Sequence, residues 1–345
     1  MLLITDGCRR AGIFEYAGWR VARASAGERR LLLTLFVTMA VATAALNLDA
    51  SVLVMTPVVL AIAARRGLGH ETFSVSTIHL ANSASLLMPV SNLTNLMVFH
   101  ETGLTFAGFT ALMALPWIGA IAVDWALVPR LARPAAVSSP PGLPAAAPAV
   151  TRWPAMILAA TLAGLVLSGP LRLEPLAVVW VGAAVLSLAE LITGQARVVG
   201  LLRAARPLFL LSLLGLGAAA WLLGKAGATD LLSGLIPDGE GFPELLLIAS
   251  VAALLANLIN NIPATLLLLP AVAPAGEAGL LAMLIGVGVG PNLSYPGSIA
   301  NLLWRRLMID GGAAVPWREF TRIGLVTTPI GIVVAVALLE LALRI

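Results

Sequence analysis

The sequence predicts an all-α polytopic membrane protein, built as an inverted-topology repeat with two re-entrant helical hairpins and two broken helices. Three observations predict it. Hydrophobic residues make up 59% of the 345-residue chain and charged residues only 11%, against about 25% charged in a soluble domain. No soluble core hides that much apolar surface. Several apolar runs reach the roughly 20 residues that cross a bilayer as a helix. Finally, polar, proline-punctuated motifs occur twice, in the same order.

Apolar segments lie at about 31–46, 50–63, 72–88, 104–128, 153–171, 174–193, 207–224, 244–258, 263–273, 279–290 and 322–343. The stretch 131–152, "LARPAAVSSPPGLPAAAPAVTR", is rich in Pro, Ala and Ser. Such a composition cannot build a core. It reads as a cytoplasmic linker between a first transmembrane repeat, 1–130, and a second, 153–345.

Basic residues set the orientation. Eighteen of the 21 Lys and Arg fall in stretches 9–30, 65–66, 130–152, 197–206 and 305–322, which the positive-inside rule assigns to the cytoplasm. The segment pair 31–46 and 50–63 therefore has both ends inside. The pair 244–258 and 263–273 is flanked by "IPDGEGFPE" and "APAGEAG", which carry acids and no Lys or Arg, so both its ends face outward. Two similar units in opposite orientations are the mark of an inverted-repeat transporter. The repeat is visible at three places. "RAGIFEYAG" resembles "KAGATDLLS" at an offset of 215, "NLDASVLVMTP" matches "NNIPATLLLLP" at 213, and "PVSNLTNL" resembles "YPGSIANL" at 206.

In the first pair, 16 apolar residues precede Asn47. As a helix they rise roughly 24 Å, somewhat short of the hydrocarbon core. Two geometries fit: a hairpin whose turn just emerges, or a re-entrant one whose tip stays within the membrane. Exposed backbone at membrane depth is tolerated only when buried in protein or lining a polar cavity, and the tip "NLDA" supplies polar groups suited to one. Asp49 there costs on the order of 2.5–3.5 kcal/mol on insertion scales, so it needs a partner, water or a function. A helix cap is the plainer role. The second motif is a break within an apolar stretch. "LLMPVSNLTNLMVF" and "GVGVGPNLSYPGSIANLLW" each place prolines among Ser, Thr and Asn. Proline removes a helix hydrogen bond and frees carbonyls, and freed half-helix ends can hold a small polar solute or ion. The bland alternative is that these hydroxyls and amides join helices.

Other chemistry is excluded or unsupported. The single cysteine, Cys8, rules out an internal disulfide and a multi-thiolate metal site. No phosphate loop, nucleophile elbow or dinucleotide fingerprint occurs, so neither an enzyme nor a cofactor is expected, and the formal charge of +4 does not argue for nucleic acid. His79 reads as structural, Asp124 and Glu190 as solvated interface residues, Cys8 as inert, and the tryptophans mostly as interfacial anchors.

The stretches "NLDASVLVMTPVVLAI", "ANSASLLMPVSNLTNLMVF", "NLINNIPATLLLLPAV" and "GPNLSYPGSIANLLW" resemble the signature stretches of the arsenite/antimonite efflux permeases of the ion-transporter superfamily, which has sodium-coupled dicarboxylate carriers as cousins. The resemblance covers nearly the whole chain. It implies a multi-pass cell-membrane protein that exports arsenite or antimonite in exchange for protons, with an ATPase subunit in some members and a homodimer as a further partner. Carried over, the site residues are Asn47, Asp49, Ser91, Asn92, Thr94, Asn95, Asn260, Asn261, Gly297, Ser298 and Asn301. Asp49 is then the proton carrier, a role that needs a desolvated carboxylate. The chain departs from the family pattern at Leu48, where asparagine is frequent, and at Tyr295-Pro296. The alternatives are a sodium-coupled anion carrier or a Na+/H+ antiporter of the same superfamily. No arginine sits in the expected core to clamp a carboxylate, which argues against dicarboxylates.

One expectation concerns the N-terminus. The repeat offset maps Met1 onto Leu216, inside the segment 207–224, and the second half has two further apolar segments before that one. On this reading the first repeat is N-terminally incomplete, lacking about 60 or more residues.

Overall fold

The computed structural model describes residues 2–13, 16, 19–20, 28–65, 70–132, 147, 149–205, 207–237 and 239–345. Most of the expected linker (133–146 and 148), and part of the "RAGIFEYAG" match, lie outside the described residues. The described residues form helices and their connections, with no strand, in keeping with the expected fold class. Five helical spans are long and apolar enough to cross a membrane: 106–131, 175–192, 242–259, 261–293 and 317–344.

The first hairpin is α2 (Glu28–Ala45) and α3 (Leu48–Arg65), preceded by α1 (Leu2–Arg10). The first broken helix follows as α4 (His70–Ala84), a 3-10 turn at Pro89–Ser91, and α5 (Leu93–Phe99). The long α6 (Phe106–Leu131) closes this unit. Thr105 caps it by accepting a hydrogen bond from Gly108 N at 3.0 Å. Next come α7 (Trp153–Leu167), α8 (Pro175–Ile192), α9 (Val198–Ala204), α10 (Pro207–Leu223) and α11 (Thr229–Ser233). The second hairpin is α12 (Phe242–Ile259) and α13 (Asn261–Val272). The second broken helix is α14 (Gly276–Val289), 3-10 turns at Gly290–Leu293 and Tyr295–Gly297, and α15 (Ile299–Asp310). Then α16 (Trp317–Arg344) packs along α6.

The two units exchange their half-helices. In one core cluster Val98 and Phe99, at the end of α5, lie with Ala264, Leu267 and Leu268 of the second hairpin. In the other, Ala300, Trp304 and Met308 of α15 lie with Val52, Met55 and Val59 of the first hairpin. Each broken helix thus starts in its own unit and ends on the hairpin of the other. Helices in lipid gain little from burying apolar surface against each other, so this crossing is held by close packing and by hydrogen bonds. Outward faces are apolar instead: Leu33, Val37 and Val41 are 49%, 55% and 59% exposed on one face of α2.

Tryptophan does not follow the interfacial expectation throughout. Trp304 is fully buried, and Trp117 of α6 donates from Nε1 to Ala84 O at 3.0 Å, serving a carbonyl freed where α4 ends. Close approach is required at Gly324 of α16, where a Cβ would collide with the carbonyl oxygen of Asn292 and with Leu293 Cα. Backbone on both sides cannot yield cheaply. Gly324→Ala is therefore expected to lower stability by about 1–3 kcal/mol, read as a drop in thermal unfolding temperature in detergent. Gly215→Ala on α10, which meets nothing within 4 Å, is expected to be neutral or slightly stabilising.

Candidate functional site at the crossing of two broken helices

A break in a membrane helix leaves carbonyls and N–H groups without intrahelical partners, and lipid supplies none. The sequence solves this twice in the same way. Asn92 caps α5, its side chain accepting from Thr94 N at 3.2 Å. Ser298 caps α15, its Oγ accepting from Asn301 N at 3.1 Å. The two caps share an extended backbone, φ −143° and ψ 145° against φ −145° and ψ 156°. Asn95 Nδ2 then donates to Ser85 O at 2.8 Å and Met88 O at 3.0 Å. Asn301 Nδ2 donates to Pro291 O at 2.6 Å and Ser294 O at 2.9 Å. Donor and acceptors of the second clamp each lie 206 positions beyond those of the first, the offset of the sequence match.

Each break is also tied to its own hairpin. Ser91 Oγ donates to Ala44 O at 2.7 Å, just before the first tip. Asn260 Nδ2 donates to Pro296 O at 2.9 Å, and Ser294 Oγ to Asn257 Oδ1 at 2.5 Å. Asn260 holds a φ of 79°, rare for a residue with a side chain, which turns the tip while its Oδ1 accepts from Ile262 N at 3.5 Å. Gly297 acts by lacking a side chain: a Cβ there would lie 2.7 Å from Pro291 Cα and 2.9 Å from Asn257 Oδ1.

Asn82 joins the two breaks. Its Nδ2 donates to Asn292 Oδ1 at 2.8 Å and Asn301 Oδ1 at 2.9 Å, and its Oδ1 accepts from Ser298 Oγ at 3.4 Å. Asn82, Ser91, Asn95, Asn292, Ser298 and Asn301 are each at most 1% exposed. The repeat is broken at this point, because the position 206 beyond Asn82 is Gly288. The second break receives a bridging amide, and the first receives none in return. Asn95 Oδ1 and Thr94 Oγ1 are buried with no protein hydrogen-bond partner. So is Asn261 Oδ1, at the start of α13, the helix on which α5 packs. These atoms are uncharged and have unused hydrogen-bonding capacity. Asn82 and Asn257 are the members that motif reading did not single out, while Asn292 belongs to the second broken-helix motif. The polar face Asn82–Ser85 at a helical spacing was the signal for the first.

The hairpin residue Asp49 goes elsewhere. Asn47 caps α3 by accepting from Ala50 N at 2.8 Å, and Asp49 lines a cleft of about 370 Å³ with Asp6, Arg9, Arg10 and Arg203. Arg10 pairs with both Asp6 and Glu190. Glu190 is 1% exposed and Asp124 2% exposed, so neither is the solvated interface residue expected. Helix α1 packs on α8 over the first of these, and α16 covers the second.

Comparison with known proteins matches this architecture. A family model described as citrate transporter covers residues 1–290. An arsenical pump membrane protein of Escherichia coli K12 is 30% identical, over 97% of this chain and 82% of its own length. The chain belongs to the citrate transporter family, alongside the arsenical pump membrane proteins. One from Yersinia enterocolitica is also 30% identical, over 97% of this chain and 83% of its own. An uncharacterized transporter of Mycobacterium tuberculosis H37Rv is 27% identical over 97% and 82%. The crystal structure of the YdaH transporter of Alcanivorax borkumensis, described as having an unusual topology, superposes with a TM-score of 0.66. It covers 99% of this chain and 84% of that one at 16% identity, a likeness of fold. The expected resemblance to the arsenite/antimonite permeases thus holds, and the protein is a multi-pass transporter of the cell membrane.

The clamps and the open atoms separate in a stability measurement. Asn301→Ala strands the Pro291 and Ser294 carbonyls in a buried site, a cost of about 1–3 kcal/mol, and is expected to lower the unfolding temperature in detergent. Thr94→Val removes a hydroxyl that has no partner, and is expected to leave that temperature unchanged or raised.

Proposed function

We propose that the protein exports arsenite and antimonite in exchange for protons, binding the solute at the first break. The observation that carries this is the set of buried, uncharged atoms without partners on Thr94, Asn95 and Asn261. Arsenous acid is a small neutral triol at pH 7, and its hydroxyls both donate and accept. An amide oxygen accepts and a threonine hydroxyl does either, so the three atoms can take a triol without a charged clamp. Tight capture of trivalent arsenic uses several thiolates. Here the one thiol, Cys8, is buried against Pro154 O at 3.7 Å, apart from the crossing. Weak, reversible hydrogen bonding suits a carrier that must also release. Two repeats, 1–130 and 153–345, joined by 131–152 as a linker, are part of this proposal. The names of the arsenical pump relatives support the substrate.

A second reading has its own observation. Arg9, Arg10 and Arg203 line the cleft beside Asp49, and the family description is citrate transporter. Guanidinium groups are suited to bidentate recognition of carboxylates, so a polycarboxylate is the alternative solute. Against it, Arg9 and Arg10 are already held by Asp6, and Arg10 also by Glu190.

Proteoliposomes separate the two. With a pH gradient and no sodium, arsenite is expected to accumulate and citrate is not. Thr94→Val and Asn261→Ala are expected to raise the arsenite concentration for half-maximal exchange a few-fold to about tenfold each, the worth of one net hydrogen bond. Citrate accumulation that is abolished by Arg203→Gln would instead support the polycarboxylate reading.

A further inference from the structure

Beside the crossing lies a buried titratable pair with no place in solute binding. His79 Nδ1 is 3.8 Å from Asp124 Oδ1, with both side chains almost wholly buried. Thr327 Oγ1 of α16 lies 3.4 Å from the same nitrogen and spends its own hydrogen on Ile323 O at 3.1 Å. In that arrangement only its lone pair faces the imidazole, which matches the tautomer protonated on Nδ1. The other nitrogen, Nε2, is then the atom that takes up or gives up a proton, and it is buried without a partner. Asp124 Oδ2 is likewise buried without one.

Aromatic rings pack on one side of the pair. Phe320 of α16 meets the imidazole edge-on, centroids 5.3 Å apart, with Tyr295 behind it at 4.6 Å and the Glu319–Arg322 ion pair at the same helix end. On α4 itself Glu71 lies two turns toward the N-terminus. From α2 and α3 apolar side chains share the core cluster, α15 brings Arg305 over the Tyr295 ring at 5.5 Å, and α14 carries no charge beyond Glu277. With a proton on Nε2, the pair is an imidazolium beside a carboxylate and is neutral overall. Without it, the pair carries a net negative charge in a buried setting. The two charge states therefore make different demands on the groups around them. The route to the crossing is short: His79 O accepts from Asn292 Nδ2 at 3.2 Å, and Asn82 follows one turn on along α4.

We propose that His79 and Asp124 form the proton-binding site of the carrier, in place of Asp49, and that its charge state sets whether the asparagine bridge between the two breaks is closed. This rests on the proton-exchange reading above. Asp49 sits in an arginine-lined cleft, whereas the backbone carbonyl of His79 accepts directly from Asn292 of the bridge.

The test uses the full chain in proteoliposomes. Two fluxes are compared: arsenite uptake driven by a pH gradient, and exchange of labelled for unlabelled arsenite at equal pH. His79→Gln and Asp124→Asn are expected to abolish the first and retain the second. Gradient-driven uptake at the wild-type level in both variants would overturn the site while leaving arsenite/proton exchange standing. Wild-type uptake that ignores the pH gradient, or follows sodium instead, would remove the transport reading and the site with it. A measurement on unmodified His79 covers the case where these variants fail to fold. In protein with 15N-labelled histidine, assigned by replacing His70 and His100, the His79 resonance is expected to titrate and to move when arsenite is added. A resonance indifferent to both pH and arsenite would overturn the proposal.

Discussion

Everything at the centre of this molecule follows from the need to satisfy backbone groups where a membrane helix is broken. A break frees carbonyls that lipid cannot serve. The chain answers with an asparagine one turn inside each following half-helix, Asn95 and Asn301, whose amides reach back across the break. With the carbonyls held, the half-helices can leave their own unit and pack on the hairpin of the other. Crossing, burial and site geometry all descend from that clamp.

On the proposed reading, function enters where the duplication is imperfect. Two fully equivalent breaks would each receive a bridging amide. Asn82 serves the second break only, since its counterpart position is glycine. The result is one satisfied break, which fixes the halves to each other, and one with unused hydrogen-bonding atoms. Uncharged groups of this kind discriminate by shape and hydroxyl count. In a buried setting a site built to hydrogen-bond a hydroxyl rejects an analogue lacking it, because its own polar atoms are then left unpaired.

Hairpins and breaks were legible in the sequence because prolines and clustered Asn, Ser and Thr are conspicuous in an apolar chain. The offset of 206 pairs Asn95 with Asn301, the two donors of the clamp. What could not be read was direction. Leu48, Val52, Met55 and Val59 turn one face of α3 to the core, which sends Asp49 to the cleft against α1 rather than to the crossing. Asp124 looked like the wet end of a helix, yet α6 continues to Leu131 and α16 covers it. His79 sits on a helix whose neighbours come from more than two hundred residues away, and no local pattern announces such a contact.

The central claim is that the solute binds at the unsatisfied break. Anomalous scattering at the arsenic absorption edge, from crystals grown with arsenite, tests it most directly. The account predicts an arsenic peak within hydrogen-bonding reach of Thr94, Asn95 and Asn261. A peak in the arginine-lined cleft beside Asp49, with none at the break, would contradict it.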